Sequence, residues 1–136
     1  MTFMSGPRST LSVASAAQGD AIVIHATGEL DATTVHLLRE ELRQVWATSG
    51  VSALVIDVEG IEFCDSRGLS ELIGALQRGQ AANVRLILAG VQGVLRRVLT
   101  ITGLRNVFEQ RATVPDALKA VSAPGNDMGG LYETAR

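Results

Sequence analysis

The chain has 136 residues, with twelve basic and fourteen acidic side chains, a formal net charge of −2 and 46% apolar residues. That length suits one domain with a single core, and a near-neutral balance with Arg96-Arg97 as the only adjacent basic pair argues against direct nucleic-acid binding. Apolar runs far too short for a bilayer span, a start unlike a signal peptide and a lone cysteine, Cys64, lead to the expectation of a cytoplasmic protein with no membrane segment and no disulfide.

Residues 1–10, with Gly6-Pro7 and small polar side chains, read as a flexible arm. Leu11, Val13 and Ser15 alternate up to the turn at Gln18-Gly19-Asp20, and a stronger run follows over 21–27, so the two form an antiparallel hairpin whose second strand is the better buried. Gly28-Glu29-Leu30-Asp31 ends that strand. A helix is expected over 33–48, capped by Asp31 or Thr33, with Val35, Leu38, Leu42, Val45 and Trp46 on its buried stripe.

Residues 53–58 are β-branched and apolar, as in a strand buried on both faces. A polar turn then leads to a helix over 66–81 whose Leu69, Leu72, Ile73 and Leu76 share one face. Residues 84–89 read as another buried strand, and Val94, Leu95, Val98, Leu99 and Ile101 as a third amphipathic helix stopping at Gly103. Val107-Phe108-Glu109 is a short strand, 114–121 a last helix with Pro115 in its first turn, and 122–136 a disordered tail. This order predicts an α/β domain over 11–121: a mixed sheet of about five strands with about four helices, right-handed crossovers and the N-terminal strand antiparallel at an edge.

In such a sheet the second and third strands end side by side, each feeding a helix start, so Asp31 and Asp65 approach one another. Asp65 and Ser66 are both good N-cap residues. An enzyme is the rival class, with the two aspartates on Mg²⁺. The chain has no P-loop and no paired nucleophile and base, and His25 and His36 sit within a strand and a helix, so no catalysis, cofactor or metal is expected. Cys64 and Trp46 read as core residues, and Arg96 and Arg97 as a solvated helix face.

Gly28-Glu29-Leu30-Asp31 before a helix, then residues 54–69 with their Phe63-Cys64-Asp65-Ser66-Arg67-Gly68-Leu69 end, then Ile101-Thr102-Gly103-Leu104 and Val107-Phe108, resemble the STAS domain family. Within it the chain looks like the bacterial anti-sigma factor antagonists, or anti-anti-sigma factors. The resemblance implies a STAS-like fold and a switch that binds an anti-sigma factor with a kinase-like ATP-binding fold, releasing a sigma factor for transcription. In such switches the anti-sigma factor phosphorylates its antagonist at the start of the second helix, and a phosphatase restores the active form.

The family pattern has Asp-Ser, then Ser or Thr, then Gly-Leu, and the second hydroxyl residue is the phosphoacceptor. Arg67 stands at that position here, and its guanidinium neither accepts phosphate on a hydroxyl nor imitates phosphoserine. Three readings stay open: an antagonist without the usual off-switch, phosphorylation at Ser66 instead, or a different partner paired through Arg67. The partner-binding set expected from the resemblance is Glu29, Asp31, Asp65, Ser66, Arg67, Gly68 and Ser70. A STAS scaffold or ligand-binding module in another signalling or transport complex is the alternative function.

Overall fold

The computed structural model describes residues 9–122; the remainder of the expected arm, 1–8, and of the expected tail, 123–136, lies outside the described residues. The alternating runs on either side of Gly19-Asp20 form a hairpin of β1 (Leu11–Gln18) and β2 (Ala21–Leu30), paired antiparallel from Leu11↔Gly28 to Gln18↔Ala21. β2 buries Val23, Ile24, Ala26 and Leu30, while β1 buries Leu11, so the second strand is the core member.

After β2 the chain alternates α1 (Val35–Ala47), β3 (Ala53–Cys64), α2 (Ser66–Ala82), β4 (Arg85–Ala89), α3 (Gly93–Ile101), β5 (Glu109–Arg111) and α4 (Val114–Ser122). The sheet order is β1-β2-β3-β4-β5, and each pairing after the hairpin is parallel. This is the mixed α/β fold expected from the sequence, with the antiparallel strand at an edge.

Two cores sandwich the sheet. On one face Leu38, Leu42, Leu72, Leu95 and Leu99 of α1, α2 and α3 pack on Ile24, Leu54, Ile56, Leu86 and Leu88. On the other, α4 lays Ala117, flanked by Val114, Leu118 and Val121, over Val23, Val55, Ile87 and Ala89. β3 and β4 are therefore covered on both sides, which is why their sequences are continuous apolar runs. Each leucine or isoleucine fully buried there stabilises the fold by about 2 kcal/mol.

The structure corrects several expectations. The polar turn expected after Val58 is strand: β3 continues through Glu59 to Cys64, pairing Thr27↔Gly60 and Leu30↔Cys64, with register shifts between His25 and Thr27 and between Gly28 and Glu29. Such irregularities change the phase of the alternation and hide the strand from a period-2 reading. Ile101 does not join the buried stripe of α3 but stands 76% exposed, because Leu95 and Leu99 carry that stripe. β5 starts at Glu109, two residues later than expected, leaving Val107 exposed and Phe108 buried.

Ser9 and Thr10 belong to the folded unit, since Thr10 N donates to Glu29 Oε1 at 2.8 Å and Glu29 N to Thr10 O at 2.8 Å; at the other end Ser122 is the last residue of α4. Trp46 is half-buried at the margin of the core rather than inside it. Cys64 is a core thiol, 4% exposed, and burial pushes its pKa up to about 11. His25 is satisfied by Asp57, with Nδ1 and Oδ2 2.7 Å apart. Among the described residues, no helix is long and apolar enough to cross a membrane.

Candidate functional site

β2 and β3 finish in register, Leu30 opposite Cys64, so the loops leaving them meet at one end of the sheet. In the first loop Asp31 folds the chain on itself. Its Oδ1 accepts from Thr33 N at 2.9 Å, Thr33 Oγ1 at 2.7 Å and Thr34 N at 3.2 Å, an aspartate turn built from Asp-x-Thr-Thr. Thr34 Oγ1 donates to Glu29 O at 2.7 Å, which pins the turn back on the strand. Hydrogen bonds from Ser9, then Thr33, hold the Asp31 carboxyl at about 2, below its ordinary 3.8.

Neither Asp31 nor Thr33 is the residue just before α1; that is Thr34, whose side chain makes no capping bond to the helix. Asp31 nonetheless serves the amides of the preceding turn, because a tight turn brings them to it before the helix begins.

Asp65 joins the two loops. Its Oδ1 accepts from Gly68 N at 2.9 Å, capping α2, and its Oδ2 accepts from Ala32 N at 3.1 Å, beside the Asp31 turn. Asp65 N in turn donates to Leu30 O at 3.2 Å. The two aspartates thus share one platform, as their places in the topology imply, and Asp65 is the bolt between its halves.

Gly68 is required by that closeness. A Cβ there would stand 2.5 Å from Leu30 O, 2.7 Å from Leu30 Cγ and 3.1 Å from Cys64 Sγ, so only a glycine lets α2 start against the end of β2. Ser66, Arg67 and Ser70 are exposed on the first turns of α2. Ser66 was expected to share the capping; Asp65 does it alone, and the Ser66 hydroxyl has no hydrogen-bond partner among the described residues. Glu29 is turned to a local task, its carboxylate accepting from Thr10 N.

Two residues of this region, Thr34 and Phe63, are not singled out for the site in the sequence. Thr34 joins Thr33, expected only as a helix cap, in stabilising the Asp31 turn, and the Asp-x-Thr-Thr spacing is the signal that could have found it. Phe63, 47% exposed beside buried Cys64, puts an aromatic ring at the rim; once residues 59–64 are taken as strand, alternation sends it to the side opposite Cys64.

Residues 12–117 match the STAS domain family, and the chain belongs to that family. It is similar to the anti-sigma-F factor antagonist RsfB of Mycobacterium tuberculosis, with 34% identity over 119 residues, 87% of this chain and 94% of the relative. It superposes on the crystal structure of an anti-sigma factor antagonist from Mycobacterium paratuberculosis with a TM-score of 0.71 at 29% identity, covering 82% of this chain and 94% of the other. The fold is also that of the Bacillus cell fate determinant SpoIIAA in its phosphorylated form, with a TM-score of 0.64 at 24% identity over 82% of this chain and 99% of that one.

Proposed function

We propose that this chain is an anti-sigma factor antagonist, a non-catalytic cytoplasmic binding module that docks on an anti-sigma factor and so frees a sigma factor for transcription. The observation that carries the proposal is the platform itself. Asp65 locks the β2–α1 turn to the start of α2, and Ser66, Arg67 and Ser70 project into solvent from this rigid base, ready to meet a partner with little ordering cost. The names borne by the similar proteins RsfB and the paratuberculosis antagonist point to the same role. In this reading the partner has a kinase-like ATP-binding fold and meets Ser66, Arg67 and Ser70, exposed on α2, with half-buried Asp65 beside them, while the buried Asp31 and Gly68, with Glu29 behind them, hold that surface in place.

Phosphate on this surface would add about −1.5 to −2 charges next to two aspartates, and the repulsion would abolish the contact with the partner. Arg67, at the usual acceptor position, cannot take it, so the antagonist is constitutively competent and its output follows its abundance. A second reading rests on Ser66. Its hydroxyl is exposed and bonded to nothing among the described residues, which supports it as a substitute acceptor reversed by a phosphatase.

The test is a binding assay against purified candidate anti-sigma kinases, with intact mass after incubation with ATP, for wild type, Ser66→Ala and Arg67→Ser. The proposal expects wild type to bind and gain no phosphate, and Arg67→Ser to gain phosphate and release. A phosphate on wild type that disappears in Ser66→Ala establishes the second reading. Failure to bind any kinase-like partner refutes both and favours a scaffold role in another complex.

A further inference from the structure

α1 and α2 lie side by side on the sheet, and the groove between them is not used by the Asp31–Asp65 platform. It consists of two adjoining recesses, of about 350 and 230 Å³, that share Trp46 and Arg78. Arg39, Arg43 and Trp46 form one wall at i, i+4 and i+7 of α1, and Glu71 and Arg78 the other at i and i+7 of α2, with Gly74 between them on the floor. Three arginines thus face one glutamate, in a chain whose net charge is −2.

These cations are incompletely neutralised. Arg39 Nε lies 3.1 Å from Glu71 Oε1, yet half of the Arg39 side chain stays in solvent. Arg43 is 70% exposed, with Glu40 of its own helix 3.7 Å away. Arg78 stacks over the Trp46 ring, 5.8 Å from its centroid, and a stacked guanidinium still offers its N–H edge to a carboxylate.

The floor carries a second, independent sign. Gly74 sits in the middle of α2 with its surface exposed, and a Cβ built on it would meet nothing within 4 Å. A glycine inside a helix weakens it, and no neighbour in this fold requires one here. A bare floor does suit the close approach of another chain, and the adjoining Ala75 and the indole give that chain apolar contact.

We infer that the α1–α2 groove is a docking surface for an acidic segment of a protein partner. Its carboxylates meet Arg39, Arg43 and Arg78, and its backbone crosses Gly74. From Glu71 to Ala82 the groove is about 16 Å long, three turns of helix. The net charge of −2 and a groove of only three cations, one of them already paired with Glu71, favour a short acidic peptide over a nucleic acid, whose binding rests on neutralising many phosphates. This surface is distinct from the platform proposed above and does not depend on its partner.

Trp46 is the only tryptophan, so the groove has its own fluorescent reporter. The probe is a synthetic peptide of about 12 residues, long enough to fill the groove as a helix, with glutamates four apart beside leucines, compared with its glutamine counterpart. The acidic peptide should shift Trp46 emission saturably and move backbone amide signals along α1 and α2, with affinity falling as salt rises past about 0.1 M; the glutamine peptide should do neither. Arg43→Glu should weaken binding about tenfold. Gly74→Glu should abolish it while the protein stays folded, since glutamate favours helix over glycine. The inference is overturned if the acidic peptide changes neither emission nor these amides, if Gly74→Glu binds like wild type, or if single-stranded DNA or anionic vesicles bind the groove more tightly than the peptide.

Discussion

Replacing Asp65 with alanine removes both bonds that close the platform. The bond from Gly68 N at 2.9 Å is the N-cap of α2, worth about 1 kcal/mol. The bond from Ala32 N at 3.1 Å holds the Asp31 turn and contributes about 1 kcal/mol more, Ala32 being exposed enough for water to serve its amide afterwards. Asp65→Ala should therefore cost about 2 kcal/mol, a melting shift of about 6–8 °C for a domain of this size. Asp65→Asn has one acceptor oxygen instead of two, so it keeps the cap and loses the bridge, about half the effect. Ser66→Ala, removing an exposed hydroxyl with no partner among the described residues, should stay within about 0.5 kcal/mol of wild type. Urea denaturation followed by far-UV circular dichroism, with a common slope, ranks the three. If Ser66→Ala costs as much as Asp65→Ala, or Asp65→Asn as much as alanine, the bridging role of Asp65 is wrong.

Two of the three glycines of α2, Gly68 and Gly74, should respond oppositely to alanine. Gly68→Ala forces a methyl against Leu30 O and Leu30 Cγ and should destabilise by about 1–3 kcal/mol, whereas Gly74→Ala enters open space and should stabilise by about 0.5–1 kcal/mol; thermal melts of both decide. The Asp31 carboxyl, held near 2 against an ordinary 3.8 chiefly by the Ser9 hydroxyl and then by Thr33, supports the fold above its unfolded pKa, so its contribution should be intact at neutral pH and vanish as pH falls from about 4 towards 2. Carbon-13 titration of Asp31 should show the low midpoint, Ser9→Ala should raise it, and a wild-type midpoint near 3.8 would refute the network. Cys64, buried with its thiol pushed to about 11, should resist iodoacetamide at pH 8 in the native protein and react once urea unfolds it.

What the sequence reveals here is what local chemistry decides. The hairpin turn, the two-sided burial of β3 and β4, and the cap at Asp65 each follow from residues next to one another, and parallel topology brings Asp31 beside Asp65. Where two signals overlap, local reading chooses wrongly. On the short α3 helix, Val94, Val98 and Ile101 make one apolar line and Leu95 with Leu99 another; only packing against β3 selects the second, and Ile101 is left in solvent. The β3 extension is hidden for a similar reason, its alternation being broken by the shifts opposite Thr27 and Glu29. The α1–α2 groove is silent in the sequence because periodicity tells which face of a helix is buried, and not which exposed residues of two helices come to face one another.

The same division explains why position 67 can vary without disturbing its setting. The start of α2 is placed by the bonds of Asp65 to Gly68 and Ala32 and by the close contact of Gly68 with Leu30, and none of these involves the side chain of Arg67. An exposed residue on a base built by its neighbours changes chemistry without changing geometry. Arg67→Ser should therefore present a hydroxyl from the backbone position that now presents a guanidinium, which is what makes that single substitution a test of switching and not of folding. Equal unfolding free energies for wild type and Arg67→Ser, alongside different responses to a kinase, would separate the two.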